Sequence, residues 1–287
     1  MKPLLKYCIA LAATLAIYAN ESAAYNLNPI YFSKNKSLQQ IDNAQSPSLP
    51  PSLPGYIEGG MDYHSLNKGY GTWLGEYFAI SKQTDEKNTW AGEIHHQREF
   101  GEQGTFVGLT NTHIWNDDWY TTAGIGTSDQ SFFWQRFSLN AAIYHKMLSD
   151  KQLIPYLGYQ EYWWRTDSKS IYLNPGLIYY FSTPWVLEGG LLLQRNEPGQ
   201  VDTVYKYVSL TQGEEKKHYV TARFAWGREG YLAVGPTDIV QNFPSTVITM
   251  TWRQWLSPSW GFNLVGETYF SRVYNRNGVA LGIFTDI

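Results

Sequence analysis

The sequence predicts an all-β protein, an antiparallel up-and-down transmembrane β-barrel of about 14 strands, with about 12 as the alternative count. Three observations predict it. From Tyr56 onward, apolar residues alternate with polar or small ones at a period of two. The alternating segments run roughly 10–13 residues, longer than common soluble strands and close to the length that crosses a bilayer when tilted. Rings gather at the segment ends: 12 Trp, 22 Tyr and 13 Phe make aromatics 16% of the chain, equal to the charged fraction.

Composition removes other classes. The 287 residues carry 22 Lys and Arg against 25 Asp and Glu, a net charge of −3, without the basic excess of a nucleic-acid binder. Charged residues fall well below the roughly 25% of ordinary soluble domains. Beyond the first twenty or so positions no run reaches the ~20 apolar residues that a spanning helix needs.

Residues 1–24 read as a secretory signal peptide. Lys2 and Lys6 form a basic start, residues 7–19 are mostly apolar, and Ser22-Ala23-Ala24 offers small residues before a cleavage site after Ala24. A membrane anchor is the competing reading, but the segment is short and no basic stop-transfer cluster follows. Cys8, the single cysteine, leaves with the signal, so the mature chain is expected to hold no disulfide and no thiol. Residues 25–55 form a Pro/Ser-rich periplasmic leader, dense in Ser, Gln, Asn and Pro over 37–54. A linker is the first reading and a docking segment the second.

Residues 56–287 form the barrel. Its predicted segments are 56–66, 72–83, 88–100, 104–115, 119–127, 136–147, 153–164, 169–181, 185–195, 201–211, 217–234, 245–256, 260–273 and 278–287. In the last, Val279, Leu281, Ile283 and Ile287 share a face opposite Gly282 and Asp286. In 217–234, Val220, Ala222, Phe224 and Trp226 oppose Thr221, Arg223 and Gly227. A soluble sandwich would turn such apolar faces inward, whereas a membrane barrel turns them to lipid around a polar lumen. Tryptophan placement favours the barrel. Trp115, Trp119, Trp185, Trp255 and Trp260 lie near one set of turns, and Trp134, Trp163 and Trp164 near the other, as two interfacial girdles require. Lipid offers no hydrogen-bond partners, so the sheet must close, and an even strand number places both termini on one side. With the signal, this predicts the outer membrane of a Gram-negative envelope, with outer-membrane lipids and the barrel-assembly machinery as partners. The outer loops are short, and none reads as a plug.

Four stretches carry a family resemblance. They are Tyr56-Ile57-Glu58-Gly59-Gly60-Met61-Asp62-Tyr63, Arg98-Glu99-Phe100-Gly101, Leu173-Asn174-Pro175-Gly176-Leu177-Ile178-Tyr179-Tyr180, and Tyr274-Asn275-Arg276-Asn277-Gly278-Val279-Ala280-Leu281-Gly282. In this order, residues 55–287 resemble the YaiO-type outer-membrane β-barrel family. The resemblance implies an integral outer-membrane protein, often associated with envelope polysaccharide systems, with no enzymatic site to carry over. Such barrels commonly end in Phe, which helps assembly machinery recognise the last strand; this chain ends Phe284-Thr285-Asp286-Ile287. Ile287 keeps the lipid-facing phase of Leu281 and Ile283, so insertion is expected.

No constellation demands catalysis, a metal or a cofactor. His95 and His96 are adjacent on a strand and point to opposite faces, so they do not chelate one ion. Glu93 and His95 share a face, as do Glu58, Asp62 and His64, and a polar lumen accounts for both sets. No His-x-Ser pattern supports a lipase, and Gly59-Gly60 and Gly124-Ile125-Gly126 precede no helix. By phase, Glu58, Asp62, Glu93, His95, Glu188, Arg223, Arg253 and Glu267 line the lumen. Rings and hydroxyls there suit a glycan, and acid–Arg pairing that plugs the barrel is the alternative. Three function classes follow, in this order: a channel or assembly component for envelope glycans, with periplasmic export proteins as partners; a structural or ligand-binding barrel; and a lipid- or glycan-modifying enzyme.

Overall fold

A computed structural model describes residues 54–129, 131–165, 168–182, 184–234 and 239–287. The expected signal peptide and nearly all of the leader lie outside the described residues. Among the described residues, fourteen strands follow one another: β1 (Gly55–Leu66), β2 (Thr72–Gln83), β3 (Asn88–Glu99), β4 (Glu102–Ile114), β5 (Trp119–Ser128), β6 (Phe137–His145), β7 (Leu153–Trp163), β8 (Lys169–Tyr180), β9 (Trp185–Glu197), β10 (Val201–Glu214), β11 (His218–Ala233), β12 (Ile239–Trp255), β13 (Trp260–Ser271) and β14 (Asn275–Asp286). Each pairs antiparallel with its sequence neighbours, and β1 pairs with β14 to close the barrel. Closure leaves no sheet edge for lipid to solvate, the condition that hydrocarbon imposes. Tyr56 stands opposite Asp286, so the two described chain ends lie at one end of the barrel.

The expected segments match these strands with one sizeable difference. β12 starts at Ile239 rather than at 245, and its hairpin with β11 rises above the neighbouring strands. The extension places Leu232 and Phe243 in an apolar cluster with Leu66, Trp73, Val247, Tyr269 and Tyr274. That burial is absent from a period-two reading of the chain.

The outward face is apolar. Met61, Phe78, Ile94, Leu109, Ile125, Leu157, Leu177, Leu191, Met250, Leu264, Leu281 and Ile283 are all exposed. Trp90, Trp119, Trp185, Trp252 and Trp260 ring the end that carries the termini, and Trp226 faces out towards the other. Three tryptophans expected in the girdles point inward instead: Trp134 and Trp255 are buried, and Trp164 packs on the buried Tyr162–Tyr172 cluster. Ring position along a strand does not fix the face, and these three serve the interior.

Outward charges locate the bilayer. Glu76, Arg98, Arg195, Asp202, Lys206 and Arg228 are exposed, and all lie in the half of their strands away from the termini. A cation costs about 2–4 kcal/mol at the midplane and about 0–1 near the interface. The hydrocarbon band therefore sits towards the terminus-bearing end, and the far third of the barrel stands among headgroups. Arg195 and Asp202 meet there in a bidentate pair of 2.7 and 2.8 Å.

The barrel lumen as candidate functional site

Two ion pairs fasten the inner wall. Arg253 on β12 donates to Glu58 on β1 at 2.8 Å, and both side chains are almost fully buried. Asn263 on β13 and Tyr77 on β2 complete the carboxylate's partners at 2.6 and 2.8 Å. The Tyr77 ring lies flat across Gly60 and Gly282, where a Cβ would collide with it. Those two glycines let the phenol reach Glu58. Arg276 on β14 donates to Glu267 on β13 at 2.7 Å, with its guanidinium over the rings of Trp73 and Tyr269. Charges this deep need partners, because desolvation costs each ion on the order of several kcal/mol.

Two acid–histidine pairs sit on single strands. Asp62 and His64 approach at 3.3 Å, and Glu93 and His95 at 3.1 Å. Two-residue spacing puts both partners on the lumen face. His64 lies 5.9 Å from the Trp73 ring, and His95 stacks on Tyr77 at 6.0 Å. Among the described residues, no group of three side chains suited to a metal converges.

Exposure within the lumen maps an open chamber at mid-height. The inward residues Glu93, Asn140, Glu188, Arg223 and Thr249 are half-buried, whereas those above and below them are mostly buried. Glu188, Ser209 and Arg223 occupy one row across β9, β10 and β11. Tyr156 donates to Glu188 at 2.8 Å and contacts the Tyr207 hydroxyl, while Arg223 lies over the Tyr207 ring at 4.0 Å.

One connection folds into the lumen, contrary to the expectation for the loops. In the β5–β6 connection Ser131, Phe132, Phe133, Trp134 and Gln135 are all buried. Trp134 stacks on Phe106 with centroids 4.7 Å apart and lies 5.9 Å from His95. Phe132 meets Phe100 at 5.9 Å, and Phe100 meets Trp73 at 5.1 Å, Tyr70 at 6.0 Å and Tyr274 at 6.3 Å. These rings pack into the lumen at the end opposite the termini. Phe100 and Gly101 both have positive φ, 49° and 83°, the geometry of a tight two-residue hairpin turn. A bulky residue is strained at such a position, and its ring's place in this packing accounts for its presence. At the terminus-bearing end Tyr120 stacks on Tyr144 at 4.4 Å within a cluster holding Ile154 and Tyr180.

The eight residues expected in the lumen therefore fall into three places. Glu58 and Arg253 are joined, Glu267 pairs with a residue the sequence reading did not single out, Arg276, and Asp62, Glu93 and His95 belong to the acid–histidine pairs. Glu188 and Arg223 face the chamber. Tyr77, Tyr156, Tyr207 and residues 131–135 were not singled out as site residues. Phe132-Phe133-Trp134, an apolar triplet between strands, was the available signal for the inward connection.

In sequence, the model of the YaiO membrane beta barrel domain matches residues 55–232, more than half of the chain. β12, β13 and β14 follow the matched region and complete the barrel. No curated protein matches the chain. Among solved structures it is similar to a bacterial polysaccharide outer membrane secretin, with TM-score 0.53 and 7% identity over 81% of this chain and 98% of that one. It is also similar to the CymD monoaromatic hydrocarbon channel, with TM-score 0.49 and 7% identity over 82% and 88%. An anion-selective porin from Comamonas acidovorans aligns with TM-score 0.47 and 8% identity over 82% and 99%. At such identities the likeness is one of fold. The protein is an outer-membrane β-barrel that belongs to the YaiO membrane beta barrel domain family.

Proposed function

We propose that this barrel is a narrow channel or assembly component that handles an envelope polysaccharide and is closed at rest. The observation that carries the reading is the mid-lumen chamber, lined by an asparagine, a threonine, an arginine and carboxylates and capped by the aromatic seal. Amides, hydroxyls, carboxylates and a guanidinium bond sugar hydroxyls. A 14-stranded wall leaves more room than an eight-stranded one, which side chains fill, and less than that of an aqueous porin. The fold neighbour named for polysaccharide secretion agrees with the reading at the level of architecture alone.

In this reading the leader and both termini are periplasmic, export proteins meet the barrel there, and outer-leaflet lipids surround its far end. The reading assigns no enzymatic step. His64 lies against Trp73, and His95 lies among Tyr77, Phe106 and Trp134, positions that suit wall packing. A second reading, a filled barrel without transport, draws support from the two buried ion pairs and the seal. Liposome swelling separates the two. Proteoliposomes are expected to admit small neutral oligosaccharides slowly, and faster once residues 131–135 are replaced by glycine and serine. A barrel that admits none in either form is the structural one.

A further inference from the structure

The lumen arginines are not equivalent. Arg253 holds Glu58, and Arg276 holds Glu267, each pair almost fully buried. Arg223 has no ion pair among the described residues, and its guanidinium lies over the Tyr207 ring at 4.0 Å. Its Nε is buried without a hydrogen bond, while the residue as a whole is half-exposed to the chamber.

The acids of the chamber are served already. Glu188 accepts from Tyr156 at 2.8 Å and from Ser209 at 3.5 Å, and Glu93 is paired with His95 at 3.1 Å. What the chamber lacks is an anion for Arg223. We infer that Arg223, stacked on Tyr207, is a subsite for the carboxylate of an acidic sugar unit, such as a hexuronate. The planar fork bonds a carboxylate bidentately, and the Tyr207 ring beneath it supports the guanidinium plane. Glu188, two strands away in the same row, repels the same anion and keeps the site weak, which suits a ligand that must leave again. This inference rests on the polysaccharide reading and specifies the chemistry of its ligand.

The test is a binding titration on the full barrel in nanodiscs, followed by intrinsic fluorescence. The probes are a galacturonate hexamer and, as the neutral counterpart, a maltohexaose. The wild type is expected to bind the acidic hexamer at least tenfold more tightly than the neutral one. Arg223→Gln loses that preference, because a charge-assisted bidentate contact is worth roughly tenfold or more. Glu188→Gln strengthens acidic binding, a gain that a damaged fold does not produce. Equal affinity for the two hexamers, no binding of the acidic one, or an unchanged preference in Arg223→Gln overturns the inference. Liposome swelling with neutral sugars reads the channel itself, so a barrel that passes sugars without preferring the acidic hexamer loses only this subsite.

Discussion

Arg253 and Glu58 meet at 2.8 Å across two intervening strands, β13 and β14, so their contact ties β12 to β1 over the seam that closes the barrel. Both are buried, and each also serves other groups: Arg253 lies over Phe284 at 3.4 Å, and Glu58 accepts from Tyr77 and Asn263. Glu58→Ala leaves a buried cation without its carboxylate and is expected to cost about 3–5 kcal/mol. The double change Glu58→Leu with Arg253→Met removes both charges and is expected to cost less. Urea unfolding in lipid vesicles measures both. A double variant weaker than the single one contradicts this.

The packing of Tyr77 on Gly282 has a steric consequence. Gly282→Val places methyl groups where the phenol now lies and is expected to destabilise the barrel by about 1–3 kcal/mol through overpacking. Combining it with Tyr77→Ala relieves the clash and recovers part of the loss. Additive losses in the double variant rule out the contact as the cause.

Position along the barrel axis decides what an outward charge costs. Leu281 faces lipid midway along β14, level with Met61, and Leu281→Arg is expected to cost about 2–4 kcal/mol. Lys206 lies nearer the headgroups, so Lys206→Leu is expected to change stability by less than about 1 kcal/mol. Refolding yield into vesicles, followed by gel mobility before and after heating, reports both. Equal penalties at the two positions contradict the assigned bilayer level.

The turn between β2 and β3 gives a pH signature. Asp85 accepts from the backbone N–H of Lys87 at 2.8 Å and from Asn88, which hold its carboxyl below the usual aspartate range. A folded-state pKa below the unfolded one stabilises the fold at neutral pH, and the benefit fades as pH falls through the aspartate range, below about 4. Asp85→Asn is therefore expected to melt lower than wild type at pH 7 and level with it near pH 2. A gap that persists at pH 2 indicates a cause other than ionisation.

The strand ladder was legible in the sequence because a membrane barrel repeats one rule: alternate residues meet lipid or lumen. That rule gave the fourteen strands and the faces of Glu58 and Arg253. It carries no information on which lumen residues meet, because partners such as Glu58 and Arg253 lie 195 positions apart. Trp134, Trp164 and Trp255 were assigned to girdles from their place near strand ends, but faces there depend on turn geometry. Sequence alone does not mark Arg276 as a lumen residue, because a charge next to a turn reads as solvated, whereas here its guanidinium lies over the Trp73 ring. The inward connection was hidden for a related reason: short loops read as exposed unless their rings find a cavity to enter.

Phe132, Phe133 and Trp134 are proposed to seal the lumen above an open chamber, and single-channel recording in planar bilayers tests that seal most directly. Wild type is expected to stay closed with rare brief openings, and replacing those three rings by Ser is expected to give a long-lived conductance at least several-fold larger. A wild type that is already steadily open, or a triple variant as silent as wild type, contradicts the seal, the chamber beneath it, or both.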